Sequence, residues 1–376
     1  MKNKVSSVKC ESYDPKEVYS SLKEALDRIG FILPENKTVL IKPNILAQNR
    51  PEHHSITHYS IVEALCRLLK ENHCNIQIGE SIAFYQTGLT KKAFVTSRIK
   101  EVADKYGATL IAFDDQALTA VRTNGICLEE LYIPNCLLEA DMVINACKLK
   151  THGGMRLSGA VKNMFGCLPG GYKQKIHMWA KNDFELSDVF LEIHKIIKPA
   201  VSIMDAVVSL DGGPSAIGKP VKTSRILAST NAAALDLMAC KILGYEPTDV
   251  ATLLCAKQKN MISDFNDVEL LGDLVPMKFK RLIKGKIPDQ YGKPGLFVKD
   301  TYVDLAIDQS KCTDCGQCLN FCPVRAIKKS NSVMRIEIHR CINCYGCLNV
   351  CPQKAIIVKP SLMNKLMRGV RYIIKI

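Results

Sequence analysis

Eight cysteines near the end of the chain constrain this sequence more than any other feature. They lie in two copies of one pattern, C-x2-C-x2-C-x3-C-P, which run from Lys311 to Pro323 and from Arg340 to Pro352. Every cysteine of the first copy recurs in the second at one constant offset, and Ala326-Ile327 recurs as Ala355-Ile356 at that same offset. The two copies are therefore an internal repeat, and they predict a small module of two similar halves.

The spacing of these cysteines is typical of iron–sulfur clusters held by four thiolates. Two-residue gaps let the chain wrap one cubane with three thiolates, whereas the fourth cysteine points elsewhere and ligates the other cluster. Zinc knuckles are the alternative, but zinc sites usually join two C-x2-C pairs across a longer separation. We therefore predict two 4Fe-4S clusters, cluster 1 on Cys312, Cys315, Cys318 and Cys351, and cluster 2 on Cys341, Cys344, Cys347 and Cys322.

Residues 303–359 resemble the two-cluster ferredoxins. The resemblance implies a small α+β bacterial-ferredoxin-like domain, placed here at 301–360, whose clusters relay electrons. Clusters with a purely structural role are the alternative. A basic linker precedes this domain at 272–300, with five Lys and Arg between Lys278 and Lys286. A basic amphipathic tail follows it at 361–376.

The long segment 1–271 predicts an α/β body with a mostly parallel sheet and helices on both faces, because strand-like and helix-like periods alternate along it. Thr57 is a candidate N-cap for the second helix. The predicted strands are Thr38–Asn44, Asn75–Gly79, Ala108–Phe113, Asp141–Asn145, Val201–Met204 and Ser224–Ala228. The predicted helices are Pro15–Gly30, His58–Asn72, Lys91–Tyr106 and Ala232–Leu243.

The formal net charge of +14 is concentrated toward the end of the chain. The segment 276–376 holds 19 Lys and Arg against 6 Asp and Glu, whereas the segment 1–275 holds 32 against 31. Two clusters of charge about −2 each would lower the total to about +10. Much of the positive charge thus balances the clusters. An acidic redox partner is expected, and nucleic acid is disfavoured because the tail offers no aromatic stacking platform. The stripe of apolar residues in 362–376 leaves peripheral membrane contact open.

The remaining features indicate a cytoplasmic protein. The sequence contains no run of about 18 apolar residues that would predict a membrane span, and the N-terminus has no apolar signal segment. Cysteines in a reducing compartment are thiols or metal ligands. The nine cysteines outside the repeats show no ligand spacing. We expect most of them to be buried thiols, and we expect an oxygen-sensitive protein of an anaerobic cell.

The segment from Met142 to Asn182 is the most unusual part of the body. It includes no Asp or Glu, but it includes six glycines, seven Lys and Arg, His152 and His177. It begins with a predicted strand, and ligands of α/β folds bind at the carboxyl ends of strands. Glycines let backbone amides approach an anion, and lysines supply charge. The segment therefore predicts an anion site, with a solvated basic loop as the alternative. Neither standard nucleotide-binding loop is present.

Candidate site residues follow from this segment and from polar residues at other predicted strand ends. The candidates for catalysis are Lys150, His152 and His177, with the histidines as proton donors near their ordinary pKa of about 6.5. The candidates for binding an anionic small molecule are Lys42, Asn44, Lys148, Gly153, Gly154, Lys162, Asn163 and Asp211.

Several of these segments resemble the domain-of-unknown-function family numbered 362. The resemblance covers about residues 37–245 and implies no substrate. It rests on Val39–Asn44, Gly79–Ser81, Lys148–His152, Val161–Gly166 and Asp211–Pro214, with a weaker match at Asn231–Asp236.

Two functions fit the sequence. The first is a reductase that passes electrons from the clusters to a substrate or cofactor in the lysine-rich cleft. The second is a non-catalytic electron carrier or docking protein that serves an acidic redox partner. A body as large as 1–271 with a charged cleft favours the reductase. No flavin fingerprint is found, so the sequence leaves a flavin in the body open without supporting it.

Overall fold

The fold is described from a computed structural model, which covers residues 3–83, 88–212, 218–279, 303–330 and 333–360. The strands of the body are β1 (Asn3–Lys9), β2 (Thr38–Lys42), β3 (Asn75–Glu80), β4 (Thr109–Ala112), β5 (Leu118–Arg122), β6 (Glu130–Pro134), β7 (Met142–His152), β8 (Arg156–Ser158), β9 (Val201–Asp211), β10 (Lys219–Ser229) and β11 (Val268–Gly272). Its helices are α1 (Pro15–Arg28), α2 (Tyr59–Glu71), α3 (Thr90–Thr96), α4 (Ile99–Tyr106), α5 (Asn135–Glu139), α6 (Ala160–Asn163), α7 (Gly170–Trp179), α8 (Asp183–Ile197), α9 (Ala232–Leu243) and α10 (Ala251–Gln258).

A nine-stranded sheet forms the centre of the body, in the order β11-β1-β10-β9-β7-β2-β3-β4, with β8 paired to β7. The strands β4, β3, β2, β7 and β9 are parallel, and β1 is parallel to β11. The strands β8 and β10 run in the opposite direction: β8 is antiparallel to β7, and β10 is antiparallel to both β1 and β9. The mostly parallel α/β body is thus confirmed.

Two apolar layers cover the sheet, one on each face. One layer contains the buried sides of α1, α2, α3 and α4. The other contains those of α6, α8, α9 and α10. Helices therefore lie on both faces, as predicted. Of the nine cysteines outside the repeats, eight are buried and Cys127 is half-buried.

Three local predictions were wrong. The predicted helix Lys91–Tyr106 is two helices, because Arg98 adopts a left-handed conformation with a φ of 63° between them. The strand predicted to end at Asn145 continues to His152, since Ser158 to Arg156 of β8 pair with its last three residues. His58 caps α2 through its Nδ1 atom, whereas the Thr57 hydroxyl bonds to Ala146.

The C-terminal module has two similar halves. Its elements are β12 (Val303–Ile307), α11 (Gln317–Phe321), β13 (Ile327–Ser330), β14 (Val333–Ile336), α12 (Gly346–Val350) and β15 (Ile356–Pro360). β12 pairs antiparallel with β15, and β13 pairs antiparallel with β14. The left-handed residues Asp314, Gly316 and Arg325 recur at the offset of the cysteine repeat as Asn343, Tyr345 and Lys354. The sequence repeat is thus also a repeat of backbone conformation.

Two predicted segments lie largely or wholly outside the described residues. Residues 273–279 of the basic linker are described and form no helix or strand, whereas 280–302 are not described. The amphipathic tail at 361–376 is also outside the description. Among the helices that are described, none has the length and apolar character needed to cross a membrane.

Candidate functional site

A cavity of about 290 Å³ lies where β2, β3 and β7 reach their carboxyl ends. Lys42 is the last residue of β2 and Glu80 is the last residue of β3, so parallel pairing brings both side chains to the same edge of the sheet. The lining residues are Lys42, Asn44, Ile45, Leu46, Glu80, Ser81, Ala83, Lys150, His152, Ser158, Lys162, Asn163, Phe165, Gly166, Lys173 and His177.

The acid-free segment Met142–Asn182 supplies more than half of these lining residues. It forms β7, β8, α6 and α7, and most of its side chains are buried. The solvated-loop alternative is therefore wrong for this segment. The structure brings seven of the sequence-predicted site residues together here: Lys42, Asn44, Lys150, His152, Lys162, Asn163 and His177.

A buried ion pair lies against the cavity. Lys42 Nζ is 2.9 Å from Glu80 Oε2, and both side chains are almost completely buried. The two carboxylate oxygens of Glu80 also accept from the backbone N–H groups of Ile45 and Ser81. Asn163 Oδ1 accepts from Lys42 at 3.3 Å and from Asn44 Nδ2 at 2.9 Å. Glu80 thus neutralises Lys42, and hydrogen bonds from Ile45 and Ser81 and to Asn163 fix the ion pair in place.

Three other lysines of the cavity are held by neutral partners. Lys150 Nζ donates to Asn44 Oδ1 at 2.7 Å and to the Ser55 carbonyl at 2.6 Å. Lys173 donates to the carbonyl and hydroxyl of Ser81. Lys162 Nζ lies 5.6 Å from the centre of the Phe190 ring. Within the described part of the chain, none of the three has a carboxylate at ion-pair distance.

Burial lowers the pKa of all three lysines, because an ammonium loses its hydration inside the protein. The pKa falls to about 7 for Lys150, to about 8 for Lys162 and to about 8 for Lys173. Repulsion from neighbouring lysines adds to this effect for Lys150 and Lys162. A bound anion would relieve both penalties. The cavity therefore has the electrostatic character of an anion site.

The two cavity histidines are neutral, contrary to the sequence expectation of ordinary pKa values. Burial lowers the pKa of His177 to about 3 and lowers that of His152 well below its usual value. His152 Nδ1 accepts from the backbone N–H groups of Gly154 and Met155, both at 3.1 Å. The proton of the neutral ring is therefore on Nε2. Lys150 is the cavity group whose pKa lies closest to neutrality.

Four predicted binding residues lie outside the cavity lining. Lys148 Nζ is 2.9 Å from Asp205 Oδ2 in a fully buried ion pair, and it donates to the Tyr13 hydroxyl at 2.8 Å. Asp211 is the last residue of β9. Gly153 and Gly154 form an exposed turn between β7 and β8, where the Gly154 N–H orients His152.

Gly166 is required by the buried ion pair. A Cβ atom at this position would overlap Glu80 Oε1 and come within 2.7 Å of Lys42 Nζ. We expect Gly166→Ala to lower the free energy of unfolding by about 1–3 kcal/mol, the usual cost of overpacking. Gly153→Ala is the control, since its Cβ would meet nothing within 4 Å and should change stability by less than about 0.5 kcal/mol. Anaerobic urea unfolding measures both, and equal midpoints would contradict this account.

The eight repeat cysteines surround two separate cavities of the C-terminal module. Cys312, Cys315, Cys318 and Cys351 line one of them, and Cys322, Cys341, Cys344 and Cys347 line the other. Each set thus combines three cysteines of one repeat with the fourth cysteine of the other. The donor set of four thiols in each cavity fits a 4Fe-4S cluster.

Backbone N–H groups are directed at the thiols in the same way in both halves. The N–H groups of Ala326 and Ala355 donate to Cys322 Sγ and Cys351 Sγ, each at 3.2 Å. The N–H of Asn343 donates to Cys341 Sγ at 3.4 Å. Hydrogen bonds to sulfur stabilise negative charge on it and tune the potential of a bound cluster.

Helix α7 lies between the body cavity and the second cysteine cavity. Its residues Lys173 and His177 line the body cavity. On its other side, a Cβ at Gly171 would overlap the Tyr345 ring and the Asn343 carbonyl oxygen, which belong to the loop of Cys341 and Cys344. The two cavities are therefore on opposite sides of one short helix.

Polar contacts fix this helix between the two parts of the protein. Asp114 Oδ1 accepts from the Gly170 N–H at 2.8 Å and from the Ser81 hydroxyl at 2.9 Å. Asn349 Nδ2 of α12 donates to the Asp114 carbonyl and to Asp115 Oδ1, both at 3.0 Å. The same turn of the body thus holds the cavity wall, the start of α7 and the C-terminal module.

Comparison with known families agrees with these two units. The family described as "Domain of unknown function (DUF362)" matches residues 39–241, which is more than half of the chain. This protein belongs to the DUF362 family. A "4Fe-4S dicluster domain" matches residues 304–352, so this DUF362 protein is an iron–sulfur protein.

The DUF362 chain is similar to a protein of known sequence and to a solved structure. It is 29% identical over 258 residues to a thylakoid-associated protein of Synechocystis sp., a match that covers 67% of this chain and 78% of the relative. It is also similar to the structure of the lactate racemase apoprotein from Thermoanaerobacterium thermosaccharolyticum, at 14% identity and a TM-score of 0.41. That match covers 63% of this chain and 56% of the other.

Two charged residues of the DUF362 cavity were absent from the sequence-predicted site. Glu80 lies inside the Gly79–Ser81 motif but was not a candidate, and Lys173 was one of the seven Lys and Arg of the acid-free segment. Glu80 pairs with a lysine 38 positions away, and Lys173 reaches Ser81 across 92 positions. Only the acid-free composition of the segment around Lys173 was a signal, and it did not single out this lysine.

Proposed function

We propose that this protein is a reductase that passes electrons from its iron–sulfur domain to a small anionic molecule bound in the lysine cavity of the DUF362 body. When bound, 4Fe-4S clusters supply single electrons. The observation that carries the proposal is the position of α7, which contributes Lys173 and His177 to the cavity and packs against the Cys341–Cys347 loop at Gly171.

Exposure of the cysteines supports a direction for the electrons. Cys315 is exposed, and Cys312 and Cys351 are half-buried, so the first thiol set is open to an external donor. Cys341 and Cys347 are buried, and their loop faces α7. Electrons would therefore enter at cluster 1 and leave from cluster 2 toward the cavity.

The cavity residues have distinct roles in this proposal. Lys162 and Lys173 bind and orient the anion by charge. Lys150 binds it as well, and its pKa of about 7 makes it the group able to give a proton to the reduced product and regain one from solvent at neutral pH. His152 donates a hydrogen bond through Nε2 without changing its charge, because burial holds it neutral.

The non-catalytic carrier is the second function considered, and the cavity argues against it. A protein that only relays electrons gains nothing from two buried lysines and one half-buried lysine that have no carboxylate partner among the described residues, because removing each charge from water costs stability. The acidic redox partner and peripheral membrane contact stay predictions. The segment that suggested membrane contact lies outside the described residues, and the name of the thylakoid-associated relative is a reason to test it.

Reoxidation of the reduced protein tests the reductase proposal. The protein is reduced with dithionite without oxygen, freed of excess reductant and mixed with 4-nitrobenzoate or with the neutral analogue 4-nitrobenzamide. We expect recovery of the cluster absorbance to be at least about tenfold faster with the anion, because the lysines concentrate it beside α7. Equal rates would contradict delivery through the cavity.

A substitution at the contact between α7 and the iron–sulfur domain sharpens this test. Gly171→Leu would push the Tyr345 loop away from α7 and should slow reoxidation by the anion, while iron content stays unchanged. Ser20→Leu on the exposed side of α1 is the control and should leave the rate as in the wild type. An unchanged rate in Gly171→Leu would mean that electrons do not cross at this contact.

A further inference from the structure

The charges of the cavity wall do not cancel. Lys42 is neutralised by Glu80, while Lys150, Lys162 and Lys173 have only neutral partners among the described residues. His152 and His177 add no charge. Beyond the wall, Asp114 lies behind Ser81 and acts on Lys173. Three cations and one outer carboxylate leave a net charge of about +2 when all three lysines are protonated.

The lining of the cavity also includes apolar residues. Ile45, Leu46, Ala83 and Phe165 line it together with the Gly166 backbone, and Ile45 and Phe165 are buried. A simple inorganic anion would leave this surface without a partner. A cavity of about 290 Å³ has room for more than such an ion. An apolar surface of this kind contributes affinity when a ligand removes it from water.

From this arrangement we infer that the cavity is selective for a dianion with an apolar body, such as an aromatic or branched dicarboxylate. The inference rests on the proposed function and names the substrate class of the same site. The two anionic groups would lie against Lys150, Lys162 and Lys173, and the apolar body would lie against Ile45, Leu46 and Phe165. A monoanion would leave one lysine charge buried and unpaired, which is costly.

Binding to the oxidised protein tests this inference without any electron transfer. Isothermal titration compares phthalate, which has two carboxylates and a ring, with benzoate, which lacks one carboxylate, and with succinate, which lacks the ring. We expect phthalate to bind at least about tenfold more tightly than either, since each omission removes one of the two recognition elements. Titrations at pH 8 in two buffers of different ionisation enthalpy should also show proton uptake on binding. The bound anion raises the pKa of the lysines, so those that are neutral at this pH become protonated.

Variants assign the selectivity to the cavity. Lys162→Met should reduce the preference for phthalate over benzoate at least about fivefold, because one cation is removed. Lys181→Met, an exposed lysine just beyond α7, should leave the preference unchanged. Equal affinities for phthalate and benzoate, or for phthalate and succinate, would overturn the inference.

The outcome is separable from that of the reductase proposal. Selective phthalate binding together with equal reoxidation by 4-nitrobenzoate and 4-nitrobenzamide would overturn the reductase and leave the dianion site standing. Equal affinities for phthalate and benzoate, together with faster reoxidation by 4-nitrobenzoate than by 4-nitrobenzamide, would overturn the dianion site and leave the reductase proposal standing.

Discussion

Cys322→Ser will remove the cluster predicted on the second repeat and spare the cluster predicted on its own repeat. The reason is that Cys322 lines the cavity of Cys341, Cys344 and Cys347, not the cavity of the cysteines that precede it. After anaerobic reconstitution we expect iron to fall from about eight to about four atoms per chain, as one of two 4Fe-4S clusters is lost. Iron analysis and electron paramagnetic resonance of the reduced protein measure this loss.

Cys351→Ser is the reciprocal variant and separates position from simple damage. It should lose cluster 1, on Cys312, Cys315 and Cys318, and keep cluster 2. Dithionite is small and can reduce cluster 2 directly. The reduced Cys351→Ser protein should therefore still be reoxidised faster by 4-nitrobenzoate than by 4-nitrobenzamide. Cys322→Ser should lose this difference, since no cluster then remains beside α7.

Cys127→Ser is the matched control, a half-buried cysteine outside both thiol sets. It should keep both clusters and the wild-type rates. If Cys322→Ser instead lost the signal of the cluster on Cys312, Cys315 and Cys318, each repeat would hold its own cluster and the assignment to opposite cavities would be wrong.

The thiol sets could be predicted from the sequence because their geometry is mostly local. Three cysteines at two-residue gaps fix their own spacing, and the repeat supplies a fourth at the same place in each half. The structure surrounds two cavities with the predicted sets. A position such as Gly316 also has its counterpart at Tyr345, where the left-handed backbone recurs although the glycine does not.

The body cavity could be predicted only in part, because its contacts depend on strand register. Lys148 and Lys150 are two residues apart on the same strand. In the pairing of β7 with β9, however, Lys148 lies opposite Asp205 and Lys150 lies opposite Leu210, with a shift of register between them. This shift places Lys148 in an ion pair and Lys150 in the cavity. No local pattern in the sequence reveals such a shift.

The direction of β10 is another feature that local patterns left undetermined. The predicted strands Val201–Met204 and Ser224–Ala228 are separated widely enough for a crossover helix, which parallel strands require. In the structure β9 continues to Asp211 and β10 begins at Lys219, so only a short connection remains. A connection of that length joins antiparallel neighbours. The lengths of β9 and β10, which the sequence underestimated, therefore determine that these two strands are antiparallel.

Lys150→Met will remove most of the anion preference of the cavity. Lys150 is the lysine closest in pKa to neutrality, and its Nζ is held at the cavity by Asn44 and Ser55. Loss of one charge-assisted contact of about 1.5–3 kcal/mol corresponds to about a 10- to 160-fold weaker interaction with the anion. The advantage of 4-nitrobenzoate over 4-nitrobenzamide in reoxidation should fall accordingly. Lys181→Met is the control and should keep the advantage.

The pH dependence identifies the group responsible. The protonated lysines bind anions, so the affinity of the wild-type protein for the anion should be highest below pH 7. A first decline is expected as the pH rises through the pKa of Lys150 at about 7. A second decline should follow at the pKa of Lys162 and Lys173, which is about 8 for both. Lys150→Met should lose the first decline and keep the second. Lys150→Arg, which stays charged throughout this range, should also lose the first decline and bind more tightly than Lys150→Met at every pH. A decline at pH 7 that persists in both variants would assign the titration to another group and remove Lys150 from the proton-donating role.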